Sequence, residues 1–336
     1  MKRVGGLYQR IADPGNLRLA WLKARRGKRE RPEVRRFAAR LDAELGKLRR
    51  GLLGEEALEL GRYRYFMVYD PKPRMICAAA FPERVLHHAI MNVCEPVFER
   101  YAIFDSYACR RGKGGLKALE RAQRFCRRRS WYLKIDMRRY FDSIDHRILR
   151  ELLARRFREQ NLLGLFADLL ATYETAPGRG LPIGNLVSQH LANFYLGLFD
   201  HWVKEEVRLR GYLRYMDDCL LFADRRDRLK SLLPRLREFL AERLGLALKD
   251  GFQLNRTACG IPFLGYRVFA GRLRLRPASL RRLRVKFAAY ERLYQEGVWD
   301  ERELQKHIEP LLAFAGRAEC GGFLPGLIAA GMSPDF

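Results

Sequence analysis

Three aspartates stand where the sequence makes carboxylates expensive. Asp136 lies inside the apolar run Lys134-Ile135-Asp136-Met137. Asp217 and Asp218 follow Tyr215-Met216, between the short apolar segments Tyr212–Tyr215 and Cys219–Phe222. Burying a carboxylate costs free energy unless something compensates its charge. A divalent cation does so directly, and Mg²⁺ prefers oxygen ligands: one or two carboxylates together with substrate phosphates. Two such ions can clamp an in-line phosphoryl displacement. Neighbouring residues on a strand point to opposite faces, whereas a turn lets at least one of Asp217 and Asp218 converge with Asp136. An Asp-Asp pair alone is an ordinary surface dipeptide; its placement between apolar strands, after another strand aspartate, sets this one apart.

The flanking patterns predict the elements that must hold these groups. Trp131–Met137 alternates apolar and polar and reads as a strand, followed by a helix from about His146. A loop over 176–182 leads into a helix over roughly 187–209. The segments flanking Met216-Asp217-Asp218 form a hairpin. A helix at 229–244 and short strands near 246–254 and 263–275 come next, then helices at 278–295 and 301–315. Upstream, apolar residues at helical spacing span 16–50, broken at Arg25–Pro32 into two helices. A strand at 63–69 stops at the turn-rich Asp70-Pro71-Lys72-Pro73. A helix covers Pro82–Phe98, and Gly112-Lys113-Gly114-Gly115 opens another, running to about Arg129. Strands alternating with helices, with antiparallel hairpins, imply an α+β fold rather than a doubly wound sheet.

Composition narrows the function classes. The 336 residues carry 65 Lys+Arg against 39 Asp+Glu, a formal net charge of +26, while 48% are hydrophobic. This is a folded basic chain that attracts polyanions, nucleic acid first and an anionic membrane surface second. No apolar run approaches the ~18 residues a membrane span needs, so no membrane partner is expected. The seven scattered cysteines form no C-x-x-C; they read as reduced thiols of a cytoplasmic protein, without a zinc site. His87-His88 do not share a helix face and are not expected to pair on a metal. The Gly112–Gly115 run could cradle phosphate but lacks P-loop spacing.

The ordered motifs resemble those of reverse transcriptases. Tyr215-Met216-Asp217-Asp218 resembles the catalytic hairpin, and Asp136 in KIDMRRYFDSID the first palm motif. The segment from Gly180 through Leu181-Pro182-Ile183-Gly184-Asn185 to Gln189 resembles the second, and Phe263-Leu264-Gly265-Tyr266 the primer-grip hairpin. Asp70-Pro71-Lys72-Pro73-Arg74 and Asp105-Ser106-Tyr107-Ala108-Cys109-Arg110 resemble finger motifs of bacterial enzymes. The resemblance covers roughly 62–290. It implies a right-hand polymerase with an antiparallel palm sheet and helical thumb. Its divisions would be a basic N-terminal helical extension (1–60), fingers (61–130), palm (131–271, with finger elements around 150–185) and thumb (272–336).

The same resemblance assigns roles. Asp136 and Asp217 would be the principal ligands of two Mg²⁺ ions (Mn²⁺ substituting), with the Met137 carbonyl helping and Asp218 a further member of the catalytic set. Arg74, and less firmly Lys72, would hold the triphosphate, where a rigid guanidinium suits phosphate oxygens. Phe141, five residues after Asp136, would gate the sugar, with Tyr140 the neighbouring alternative. Ile183 and Gln189 would line the nucleotide site. Arg281–Lys286 would track the backbone of an RNA–DNA hybrid in the thumb.

The form Ile183-Gly184-x-x-x-Ser188-Gln189 is similar to that of reverse transcriptases of diversity-generating retroelements; group II intron and retron enzymes usually carry Gln-Gly-x-x-x-Ser-Pro there. The absence of a maturase or endonuclease extension is expected on the same branch. That branch implies error-prone, adenine-mutagenic cDNA synthesis from a template RNA, dNTPs as substrates, and an accessory variability protein forming a basic oligomer. Ile183 is the first candidate for the low fidelity and Arg74 the second. A retron-like or phage-defence enzyme is the alternative within the family, and a non-catalytic RNA-binding polymerase shell the alternative outside catalysis.

Overall fold

The computed structural model describes residues 2–69 and 73–319. Four helices open the chain: α1 (Tyr8–Ile11), α2 (Pro14–Ala24), α3 (Pro32–Ala39) and α4 (Leu41–Leu53). Asp13 caps α2 by accepting from the Asn16 N–H, with Pro14 at the first helical position. The expected break at Arg25–Pro32 is present. A second break falls at Arg40, whose φ of −125° is not helical.

Next comes an antiparallel hairpin, β1 (Tyr63–Val68) and β2 (Arg74–Ala79). The sequence pattern predicts only its first strand. Helices α5 (Phe81–Tyr101) and α6 (Gly115–Arg128) follow. Then β3 (Trp131–Ile135) leads to α7 (Tyr140–Ser143), α8 (His146–Ala154) and α9 (Gln160–Ala171). The single helix expected over 187–209 is three pieces: α10 (Leu186–Tyr195), α11 (Gly197–His201) and a π-helical turn, Trp202–Glu206. The hairpin strands are β4 (Gly211–Tyr215) and β5 (Asp218–Ala223), followed by α12 (Arg226–Leu244). Short strands β6 (Gln253–Arg256), β7 (Ile261–Phe263), β8 (Tyr266–Val268) and β9 (Leu273–Leu275) precede α13 (Pro277–Gln295) and α14 (Glu301–Ala315).

The central sheet is antiparallel, in the order β4-β5-β3-β6. Its register places Ile135 opposite Cys219 and Tyr215 opposite Asp218. Both faces are covered, so alternate residues serve different cores. Leu133, Ile135, Tyr212, Cys219 and Leu221 join the large core built with α2, α5, α10 and α12. Tyr132, Leu213, Leu220 and Phe222 face a smaller core, shared with α6 and the β7–β8 hairpin. The N-terminal helices belong to the large core: Leu17, Ala20, Trp21 and Val34 are buried in it beside Val85 and Ile90 of α5. This mixed helix and antiparallel-sheet arrangement is the expected α+β fold of a right-hand polymerase. Among the described residues no helix is long and apolar enough to cross a membrane.

Candidate active site

Strands β4 and β5 are joined by only two residues, Met216 and Asp217, because Tyr215 pairs with Asp218. Met216 takes φ +54°, a left-handed conformation uncommon for a side chain of its size. Arg214 explains how the turn is held. Its guanidinium lies beneath the hairpin, 1% exposed, and donates to both oxygens of Asp200 at 2.7 and 2.5 Å. It also donates to the Asn193 side-chain and backbone oxygens at 2.7 and 3.0 Å, and to the Met216 carbonyl at 2.8 Å. Tyr212 donates its hydroxyl to Asp200 at 2.6 Å. Burial works against the Arg214 charge, but Asp200, by charge and hydrogen bond, outweighs it and raises the pKa.

On the other side of the turn the carboxylates are less completely paired. Asp136 follows β3 directly. Its Oδ2 contacts Lys249 Nζ at 2.5 Å, and its carbonyl accepts from the Lys249 N–H at 2.9 Å. Its Oδ1 is buried and takes no hydrogen bond from any group outside the pair it forms with Asp217. Asp217 sits against Asp136. Burial first, then the Asp136 charge and a hydrogen bond between the two carboxyls, push the Asp217 pKa up to about 7. Such a pair favours holding one proton between its carboxyls. Asp218 is paired with Lys134 Nζ, 2.9 Å distant, and its charge adds to the rise at Asp217. Lys134 also reaches the Pro262 carbonyl at 3.0 Å and so links this strand to the β7–β8 hairpin.

The segment after Asp136 is bridged to Leu248, with Arg138 N–H donating to Ala247 and Lys249 N–H to Asp136. In that antiparallel pattern the intervening Met137 turns its own N–H and C=O away from the 247–249 segment. No cluster of three His, Cys, Asp or Glu side chains fit to hold a metal occurs among the described residues. The residues still fit Mg²⁺: a buried carboxylate oxygen with no partner outside the pair, beside a second carboxylate, supplies the one or two anionic ligands it takes, leaving positions for water and phosphate oxygens.

The structure places the other expected residues unequally. The Ile183 carbonyl accepts from the Cys77 N–H of β2 at 2.8 Å. Gly184, at φ +118°, packs so closely that an added Cβ would come within 2.7 Å of Ile76 Cγ2. The second motif's loop is thus pinned to the hairpin that carries Arg74, which is exposed and shares a face with Ile76. Lys72 lies outside the described residues. Phe141 is half-buried, and Tyr140 is not free to gate anything: it is buried and its hydroxyl donates to the Ala192 carbonyl. Gln189 Oε1 accepts from the Cys109 thiol at 3.6 Å.

In the Phe263–Tyr266 hairpin, Phe263 and Tyr266 are core residues and only Leu264-Gly265 forms the tip. Gly265, at φ +88°, is closely backed by Phe314, and its carbonyl accepts from the Ser279 hydroxyl at 2.7 Å. In the finger motif, Asp105 is buried between Arg121 and Lys204 and acts as scaffold. His87 is buried 3.5 Å from Glu83, while burial pushes His88 down to about 4.

Sequence reasoning missed Arg214, Asp200 and Lys249. An arginine inside the apolar run Gly211–Tyr215 was the available signal for the first; nothing local marked the other two.

The profile of the family described as "Reverse transcriptase (RNA-dependent DNA polymerase)" matches residues 70–267. The chain is similar to the "Putative COX1/OXI3 intron 1 protein" of Saccharomyces cerevisiae, with 23% identity over 155 residues, 43% of this chain and 18% of that protein. It is also similar to "Protein YkfC" of Escherichia coli, with 27% identity over 182 residues, 50% of this chain and 47% of that protein. The matches thus span less than half the length of either relative. Among solved structures it resembles apo telomerase from Candida tropicalis, with a TM-score of 0.51 and 11% identity, covering 80% of this chain and 58% of that one. At that identity the likeness establishes the fold.

Proposed function

The chain belongs to the reverse transcriptase family, and from that premise we propose that Asp136 and Asp217 are the metal-carrying carboxylates of its RNA-directed DNA polymerase centre. The observation that carries this reading is the pair itself: two carboxyls in contact, one oxygen buried without a partner outside the pair, held on a rigidly anchored turn. Mg²⁺, when bound, supplies charge neutralisation and orients the oxygens of an in-line displacement at the nucleotide α-phosphate. Asp136, Asp217 and the Met137 carbonyl would hold it, with Asp218 kept beside them by Lys134.

The chain's own residues do the rest. Asp217 gives up its proton before it can serve, and Lys249 gives up Asp136 Oδ2. Arg74 binds the triphosphate from the hairpin face next to the Gly184 loop. Phe141 closes the floor where a 2′-hydroxyl would sit. The Leu264-Gly265 tip, fixed by Ser279, bears on the primer.

The finer reading is a diversity-generating retroelement enzyme, making adenine-mutagenic cDNA with an accessory variability protein. It is supported by Ile183 and Gln189 in the second motif. A Gln amide at the Ile183 position could hydrogen-bond near the incoming base; an alkyl group offers only apolar contact, which discriminates by about 1–3 kcal/mol. Sequencing cDNA made on a defined RNA containing all four bases tests both levels. We expect errors concentrated opposite adenine, reduced roughly tenfold by Ile183→Gln for one lost 1.4 kcal/mol of selectivity. Even errors at all four bases would point to the retron-like alternative, and no cDNA at all to a non-catalytic shell.

A further inference from the structure

The central sheet ends at β6, and no strand covers its outer edge among the described residues. Thr257, just past β6, donates its N–H to the Ser130 carbonyl at 2.9 Å. Alternate residues of an antiparallel pair turn their main-chain groups outward, so Leu254 and Arg256 aim N–H and C=O away from β3. Arg256 bears this out: its N–H reaches only Oδ1 of the adjacent Asn255, at 2.7 Å. Gln253, Asn255 and Arg256 are exposed, and Phe252, at the head of the strand, is 39% exposed.

Alongside this edge runs a groove of about 760 Å³, between β6 and the β7–β8–β9 sheet. Pro262, Phe269 and Leu275 give it an apolar lining; its charges are Arg267, Arg274 and Arg276, and no acidic side chain lines it. None of the three arginines has an ion-pair partner among the described residues. Arg267 and Arg274 stand directly opposite each other on β8 and β9. Like charges so placed weaken a ladder, and an anionic occupant relieves them. An open strand edge beside an apolar groove is the frame on which an extended chain adds a strand. The arginines select an acidic chain. They exclude a second copy of this one, whose own β6 edge carries the same charge. A nucleic acid would satisfy the arginines, but it has no alternating donors and acceptors to match Leu254 and Arg256.

We propose that β6 and this groove dock an acidic, extended segment of a partner protein, added as a further strand at the edge of the central sheet. This does not depend on the catalytic reading of Asp136 and Asp217.

The test follows binding of the full chain to a fluorescent peptide of alternating glutamate and valine, beside the same peptide N-methylated at every amide. Methylation keeps the side chains and their charge and removes the main-chain donors. On the protein side, Arg256 has φ −71°, the value proline is locked near. Arg256→Pro therefore removes the outward N–H and leaves the pairing with β3 in place, while Arg256→Gln removes the charge alone. We expect saturable binding of the plain peptide, at least about tenfold weaker binding of the methylated one, and about fivefold weaker binding by Arg256→Pro than by Arg256→Gln, the worth of one net hydrogen bond. Arg267→Gln/Arg274→Gln should weaken the plain peptide roughly tenfold and flatten its salt dependence. Equal binding of the two peptides by wild type would reduce the effect to bulk charge and overturn the proposal, whether or not the proline variant folds. No binding of the plain peptide would overturn it as well. A single-stranded oligouridine that displaces the peptide at lower concentration than the unlabelled peptide does would give the groove to nucleic acid and overturn it too.

Discussion

The two sides of the β4–β5 hairpin are built on opposite terms. Below it, Arg214 and Asp200 are 1% and 0% exposed, and the guanidinium is engaged by Asp200, Asn193 and the Met216 carbonyl. Above it, Asp136 and Asp217 press two carboxyls together, and Asp136 Oδ1 takes no hydrogen bond from outside that pair. The satisfied network fixes the backbone, including the left-handed Met216. That rigidity keeps the unsatisfied pair from relaxing apart. A buried network with every group paired specifies one geometry; a carboxylate pair held in that geometry resists carrying two negative charges. The closed network and the carboxylate pair lie three residues apart along the chain, Arg214 to Asp217.

Three perturbations sharpen the comparison. The largest effect is expected at the tip. Asp136→Asn should lower primer extension by at least about a thousandfold, on the order of 4 kcal/mol of barrier, while RNA affinity in a filter-binding assay changes little. Extension near the wild-type rate would remove Asp136 from the chemistry. The underside should respond in stability instead. Arg214→Met strands the buried Asp200 carboxylate and should cost about 3–5 kcal/mol in urea unfolding. Replacing Asp200 by Leu as well should recover part of that loss, since no charge is then left alone. A double variant as unstable as the sum of the two single ones would show that the pair is not a closed unit.

The third perturbation is pH, in chelator. Asp217 has a folded pKa raised from 3.8 to about 7. Below about pH 4 the group is protonated folded or unfolded and costs nothing. As pH rises toward 7 the unfolded chain releases its proton while the folded chain retains it, so stability falls through that window, by a few kcal/mol at most. Urea midpoints measured at about pH 5 and about pH 8 should show the fall in wild type and lose most of it in Asp217→Asn. A wild-type midpoint unmoved by pH would mean the two carboxyls do not compete for a proton.

The tip was far more legible in the sequence than the underside. Asp136, Asp217 and Asp218 stood out because a carboxylate beside apolar strand residues is costly at any tertiary placement. Asp218's engagement with Lys134 was not readable, because strand alternation assigns a face but not a partner. Arg214 carried a local signal, an arginine within Gly211–Tyr215, whereas Asp200 sits in a helical run whose neighbours are ordinary. Lys249 meets Asp136 across 113 residues of sequence separation. Strand β2 was missed because its end, Cys77-Ala78-Ala79, lacks the β-branched and aromatic residues that mark β1, and it becomes a strand by pairing with β1. The 187–209 helix was read as continuous because its apolar spacing carries through the π turn at Trp202–Glu206, where the backbone hydrogen bonds change and the periodicity does not.

The central claim, that the upper side of the hairpin is built for a cation and strained without one, is tested most directly by thermal unfolding of wild type and Asp217→Asn, each in chelator and in Mg²⁺. Replacing the repelled carboxyl by a neutral amide of the same shape should raise the melting temperature above that of wild type in chelator at neutral pH. Mg²⁺ should then stabilise wild type and leave the variant nearly unchanged, since binding to the folded state alone is what shifts the equilibrium. A variant less stable than wild type in chelator, with an equal response to Mg²⁺, would contradict the account.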